Sequence, residues 1–175
     1  SNRVALTVNN GYIEGTTRTT KDTVYLDNSS AISSTFESKG IKPGMTAFIN
    51  LSLSGTNEVQ LELPRSSAIP LGQNYEIIVV GSAPVVDGAG NMNRLLRIDR
   101  NSAGGDIING LVTGLKEGGG GASTTILSTG GSKLFATGSI GDRYDITLMK
   151  TGSTDNARQW MIHGHVSCSS FVAIG

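Results

Sequence analysis

Glu58-Val59-Gln60-Leu61-Glu62-Leu63-Pro64 decides the fold class. Side chains alternate across a strand with period two, so Val59, Leu61 and Leu63 point to one face while Glu58, Gln60 and Glu62 point to the other. Just upstream, residues 46–53 place Ala47, Ile49, Leu51 and Leu53 on one face in the same way. Ser54-Gly55-Thr56-Asn57 between the two runs is long enough to fold one antiparallel onto the other, and this hairpin is the expected local unit. Further out, Tyr144, Ile146 and Leu148 alternate with Arg143, Asp145 and Thr147. Each such strand should bury one face and wet the other.

Strands are expected at 4–8, 12–14, 23–26, 32–36, 46–53, 58–63, 75–80, 95–98, 124–127, 133–136, 143–149, 159–163 and 169–173. Twenty-four glycines with many Ser, Thr and Asn residues break the chain at the spacing of short strands and turns in all-β domains. Asn10-Gly11 and Asn109-Gly110 can supply the positive φ angles of tight hairpin turns. Helical periodicity is interrupted everywhere by Gly, Pro or β-branched residues, leaving room for one short turn near Ser66-Ser67-Ala68. The expectation is an all-β fold: an antiparallel β-sandwich or jelly-roll-like domain with Gly-rich loops. Lys42-Pro43-Gly44 is a natural joint. It divides residues 1–42, an N-terminal arm or additional strands packing on or contacting a partner, from a main β-sandwich domain at 43–175.

Composition narrows the function. The 175 residues, 37% hydrophobic and 5% aromatic, suffice for a core built mostly from Val, Ile and Leu. Fourteen basic residues balance fourteen acidic ones, which removes the electrostatic footprint of a nucleic-acid or anionic-membrane binder. Cys168 has no intrachain partner, and a reduced setting is the simpler expectation. The start, Ser1-Asn2-Arg3, carries no signal-peptide pattern and no run approaches the ~20 apolar residues that span a bilayer. A soluble chain is expected.

Searches for chemistry return little. No serine has glycine at both minus two and plus two, as a nucleophile elbow requires. Gly118-Gly119-Gly120-Gly121 lacks the Lys-Ser/Thr ending and following helix of a phosphate loop, and reads as a loop. Asp87-Gly88-Ala89-Gly90-Asn91-Met92-Asn93 lacks the acidic count and terminal bidentate Glu of a calcium loop, and reads as a turn. Glu58 and Glu62 read as a solvated face. His163-Gly164-His165 puts two imidazoles on one strand face, yet two ligands are not a metal site and a surface-facing pair is the expectation. A symmetric trimer could bring six such imidazoles to its axis, which keeps His163 and His165 as weak metal candidates. Trp160 should bury its large apolar surface as a core or inter-sheet anchor. Neither catalytic residues nor cofactors are expected.

The ordered set of Glu58–Pro64, Pro70-Leu-Gly-Gln-Asn-Tyr75-Glu-Ile-Ile-Val-Val80, Gly104-Gly-Asp-Ile-Ile-Asn-Gly110, Lys133-Leu-Phe-Ala136, Tyr144-Asp-Ile-Thr-Leu148 and Trp160-Met-Ile-His-Gly164 resembles β-modules of tailed-bacteriophage virion proteins. The likeness covers residues 46–166, with a Gly-rich insertion at 104–132 that is longer than such modules need. It implies a compact, usually trimeric β-sandwich of the kind found on capsid decorations, head fibres and tail fibres. It brings no catalytic residue. Some spike tips of that group carry H-x-H on their axis, a precedent in kind for His163 and His165.

The role expected first is a capsid decoration, or cement, protein: a homotrimer that binds the major capsid protein or other virion proteins on the assembled shell. Its location would be the virion, assembled in the host cytoplasm, without nucleic-acid or membrane partners. Residues 1–14, with Arg3, Val4, Leu6 and Val8, would be the contact arm. The alternative is a receptor-binding tip of a head or tail fibre, with Asp87, Asn91, Gly119 and Gly120 on the contacting loops. A glycan depolymerase is the third reading.

Overall fold

The computed structural model describes residues 8–9, 12–13, 21–82, 93–103, 105–115, 123–150, 159–166 and 172–174. Among these the chain is all-β. Its strands are β1 (Val8–Asn9), β2 (Tyr12–Ile13), β3 (Thr23–Asp27), β4 (Ile32–Thr35), β5 (Thr46–Asn50), β6 (Val59–Glu62) and β7 (Asn74–Gly81). They continue with β8 (Leu96–Asp99), β9 (Ile107–Leu115), β10 (Ser123–Gly131), β11 (Lys133–Ala136), β12 (Arg143–Lys150), β13 (Gln159–His165) and β14 (Val172–Ile174). A single 3-10 turn at Ser66–Ala68 stands where the short helical turn was expected. β1 and β2 pair antiparallel around residues 10–11, as the Asn10-Gly11 signal requires.

A seven-stranded sheet has the order β10-β9-β13-β12-β7-β5-β3, and a five-stranded sheet the order β14-β11-β8-β6-β4. The expected antiparallel architecture is corrected here, because both sheets are mixed. β3, β5 and β7 run parallel in the large sheet. β4, β6 and β8 run parallel in the small one. The chain therefore crosses from large sheet to small sheet three times in succession, β3 to β4, β5 to β6 and β7 to β8, before its second half, in which only β9 and β13 pair parallel among the described residues. Residues 23–41 belong to this body: they give one strand to each sheet and bury Phe36 and Ile41 in the core.

The hairpin expected between β5 and β6 does not exist, since the two strands lie in different sheets. Asn28 is the reason. Its side chain is fully buried at the corner after β3. There Nδ2 donates to the carbonyls of Leu51, Ser54 and Asn57 at 3.1, 2.7 and 3.3 Å. Oδ1 accepts from the amides of Leu53 and Ser54 at 3.0 and 3.2 Å. Asn57 answers by donating to the carbonyls of Asn28 and Ser29. The 51–57 segment spends its backbone groups on the neighbouring corner, so it turns the chain into the opposite sheet. Strand β5 ends at Asn50, and Leu53, expected inward, is 56% exposed on that corner.

Alternation holds elsewhere. Val59, Leu61, Leu63, Ala47, Ile49, Leu51, Tyr144, Ile146 and Leu148 are all buried, and both sheets send their inward faces into one core cluster. Trp160 lies in that core, fully buried, as expected. Its Nε1 donates to the buried carboxylate of Asp106 at 3.3 Å, which also accepts from the Ser66 amide and hydroxyl at 3.1 and 2.7 Å. Phe36 meets Tyr75 edge-on at 5.1 Å, and Tyr75 meets Trp160 at 6.0 Å. Gly164 lets β13 pass close to β12 and β9: a Cβ there would come within 2.7 Å of Val112 Cγ1 and 3.2 Å of Tyr144 Cδ1.

The second expected turn, Asn109-Gly110, is also corrected, because both residues lie inside β9. That strand pairs antiparallel with β10 and parallel with β13. Ile108 and Val112 face the core on either side of the Asn-Gly pair. Burial of this face overrides the local turn preference. Asn109 uses its side chain across the sheet, donating to Gln159 Oε1 at 3.2 Å and accepting from the Gly130 amide at 2.9 Å.

Candidate functional site

Three surfaces carry chemistry: the outer face of each sheet and the end of the parallel stack. On the large sheet, register aligns Thr46, Glu76, Asp145, His163 and Leu111 in one outward row, and Phe48, Ile78, Arg143, His165 and Thr113 in the next. Both imidazoles are exposed, the surface-facing arrangement expected for the pair. Asp145, opposite His163, is engaged by Arg143 at 3.1 Å. Among the described residues no group of three or more His, Cys, Asp or Glu side chains converges as metal ligands would.

Glu76 anchors this face. It is 7% exposed and meets Lys21 Nζ at 2.6 Å, Thr46 Oγ1 at 2.5 Å and Arg143 at 2.7 Å. Burial alone would push its carboxyl up, but hydrogen bonds from Lys21 and Thr46, with the charges of Lys21 and Arg143, outweigh that and hold it below the ordinary 4.5. A depressed folded-state pKa adds stability that is present above the unfolded value and is lost as pH falls through the folded one. Glu76→Gln is therefore expected to flatten the fall in stability below about pH 4.5. Urea melts across acidic pH check this, and an unchanged slope would count against the ion cluster.

Beside the cluster the outer face turns apolar. Tyr25 is 58% and Val80 38% exposed, with Phe48 and Ile78 half-buried between them. Tyr25 lies on β3, which has one neighbour, β5, among the described residues. Thr46 N donates to Asp22 O, and Asn28 N donates to Asn50 O. In a parallel ladder that alternation turns the backbone groups of Val24 and Leu26 toward β5 and those of Thr23, Tyr25 and Asp27 toward the outer edge. The matching edge of the small sheet is closed differently. Ser38 Oγ accepts from the Thr35 amide at 3.2 Å, and the Thr35 carbonyl accepts from Ser38 Oγ and Lys39 N. The end of β4 is capped at Thr35 by its own turn, whereas among the described residues β3 presents a row of outward backbone donors and acceptors next to an apolar face.

Between the 36–43 and 64–69 segments lies a hollow of about 360 Å³, lined by Ile41, Pro43, Pro64, Ala68, Ile69 and Tyr75, with Glu37 and Lys42 also in its wall. Burial, with a smaller contribution from Glu37, pushes the Tyr75 hydroxyl up to about 12, so it stays protonated at neutral pH. On the small sheet Glu62 accepts from the Asn101 side chain and the Ser102 amide, so it fastens the loop after β8. Glu58 is half-buried, and desolvation raises its carboxyl pKa. Of the expected solvated carboxylate face, Glu62 is thus part of a bonded network and Glu58 is half-buried. The β3 edge and this network are signals that alternation alone does not carry, because both depend on which strands become neighbours.

Arg3, Val4, Leu6, Asp87, Asn91, Gly119 and Gly120 lie outside the described residues, and Val8 is described as part of β1. Asn93, at the end of the expected 87–93 turn, donates to the Gly55 carbonyl at 3.3 Å. No helix among the described residues is long and apolar enough to cross a membrane. No protein-family model matches the chain, and neither a curated protein nor a solved structure matches it.

Proposed function

We propose that this chain is a non-enzymatic structural protein of a tailed-bacteriophage virion, an adhesive β-sandwich module acting as a homotrimer. The observation that carries the reading is the end of the parallel stack. The β3 edge, which has no outer neighbour among the described residues and lies beside Tyr25, Phe48, Ile78 and Val80, is a surface suited to β-pairing with a second copy of the chain. On β4 the outward backbone groups of Thr35 are occupied by Ser38 and Lys39.

Of the two virion roles, the receptor-binding tip of a fibre draws more support than the shell decoration. The β3 edge lies at one end of the parallel β3-β5-β7 run, a place where the module could join the next part of an appendage. The decoration reading stands second, supported by the breadth of the seven-stranded sheet, whose outer face would suit a broad footprint on the major capsid protein. Imaging of labelled protein on intact particles tests the reading, with label at a head or tail appendage as the expected result. Native mass measurement should give three times the 18.2 kDa chain. Label inside the shell, or a monomer at all concentrations, would remove it.

A further inference from the structure

The chain is electrically balanced, yet the outer face of the small sheet concentrates charge around one ring. Arg94, Arg97 and Lys133 hold their cationic groups 5.1, 5.6 and 5.7 Å from the centroid of Phe135. Register explains the grouping. Gln60, Arg97 and Phe135 form one outward cross-strand row, and Glu62, Asp99 and Lys133 form the next. Arg97 is fixed by two bonds to Asp99, each 2.7 Å, and Gln60 Nε2 holds the same carboxylate at 2.8 Å. Adjoining them is a hollow of about 240 Å³ whose lining includes Arg100, Ser102, Ser132, Lys133 and Glu62.

Three like charges around one phenyl repel each other, and the ring's negative faces together with Asp99 and Glu58 offset that repulsion. Arg97 is thereby held in place, with Lys133 and Arg94 gathered beside it at the ring. The interleaved carboxylates decide which anion. A dense polyanion such as a nucleic acid would confront Glu58, Glu62 and Asp99 along with the cations. A saccharide bearing an isolated carboxylate or sulfate meets both signs usefully: its anion faces Lys133 and the arginines, and its hydroxyls donate to Glu62 and Asp99.

The geometry points to this face as a binding site for an acidic saccharide, centred on Lys133, Arg94 and the hollow beside Phe135. It rests on the reading of the chain as a receptor-contacting tip and names the chemistry of what that tip contacts. The test is calorimetric titration of the full chain with a hexamer of alternating glucuronic acid and N-acetylglucosamine, beside chitohexaose and a short single-stranded DNA. Binding of the acidic hexamer alone is expected, weakening with added salt and by about tenfold for each of Lys133→Gln and Arg94→Gln. Phe135→Leu keeps an apolar side chain but removes the ring that gathers the cations, and should weaken binding while thermal melts show the fold retained. No binding of the hexamer, equal binding of the DNA, or indifference to the three substitutions in folded protein would each overturn the site. Imaging separates the two claims: appendage label with a silent titration removes only this inference, whereas label inside the shell removes the role and leaves the titration to judge the face.

Discussion

Asn28→Ala is expected to lower the free energy of unfolding by about 3 kcal/mol, from the loss of buried hydrogen bonds that are costly to leave unmade. The side chain is fully buried and serves three carbonyls and two amides of the 51–57 corner. Each unmet buried group costs roughly 1–3 kcal/mol, and several of these are half-exposed and can turn to water, which sets the total below the simple sum. Against a domain stability of about 5–15 kcal/mol this is a large fraction. Asn28→Asp retains the acceptor but removes all three donations and introduces a buried charge, so it should cost about as much. Chemical denaturation of both variants gives the answer. A loss below about 1 kcal/mol for Asn28→Ala would mean that the corner is held by something other than this side chain.

The same residue marks how far the sequence could be read. Burial of Val59, Leu61 and Leu63, of Tyr144, Ile146 and Leu148, and of Trp160 follows from period-two alternation and side-chain size. Those are local properties, fixed once a segment is extended with one face covered. Partner choice is not local. β5 and β6 read as a hairpin because their connection is short and polar, but the backbone of that connection is claimed by Asn28, over twenty residues upstream. Likewise Asn109-Gly110 carries a turn signal that loses to core burial on both sides of it in β9. The candidate surfaces share this limit. His163 and His165 were placed correctly on an outward face by spacing alone, whereas the Phe135 cluster joins residues from the 93–95 segment, β8 and β11, and appears only when those segments become neighbours. The place of β3 at the edge of the sheet, among the described residues, likewise follows from a parallel pairing with β5 that no short-range pattern encodes.

Proline at Tyr25 should separate assembly from folding, and loss of the trimer is its expected result. Proline removes a backbone donor, and in sheets it is tolerated on edge strands where the lost N–H points outward. Asp22 O and Asn28 N are bonded to β5, so the Tyr25 amide lies on the outward side of β3. Tyr25→Pro therefore leaves the β3–β5 ladder intact and deletes a donor that a second copy would use, together with the most exposed aromatic of the apolar patch. The side chain also accepts a 3.0 Å hydrogen bond from Asn50 Nδ2, an exposed contact whose loss costs little. Thr23→Pro, at the first residue of the same strand, repeats the test without touching the tyrosine. Leu26→Pro is the opposing control: its amide belongs to the β5 ladder and its side chain packs on the core, so it should break the β3–β5 pairing. Native mass measurement and thermal melts on the three variants give a pattern that no general loss of stability reproduces. Tyr25→Pro and Thr23→Pro should be folded monomers, and Leu26→Pro should be misfolded. A Tyr25→Pro protein that is folded and still trimeric would place the contact between copies on another surface and withdraw the β3 edge from the proposed assembly.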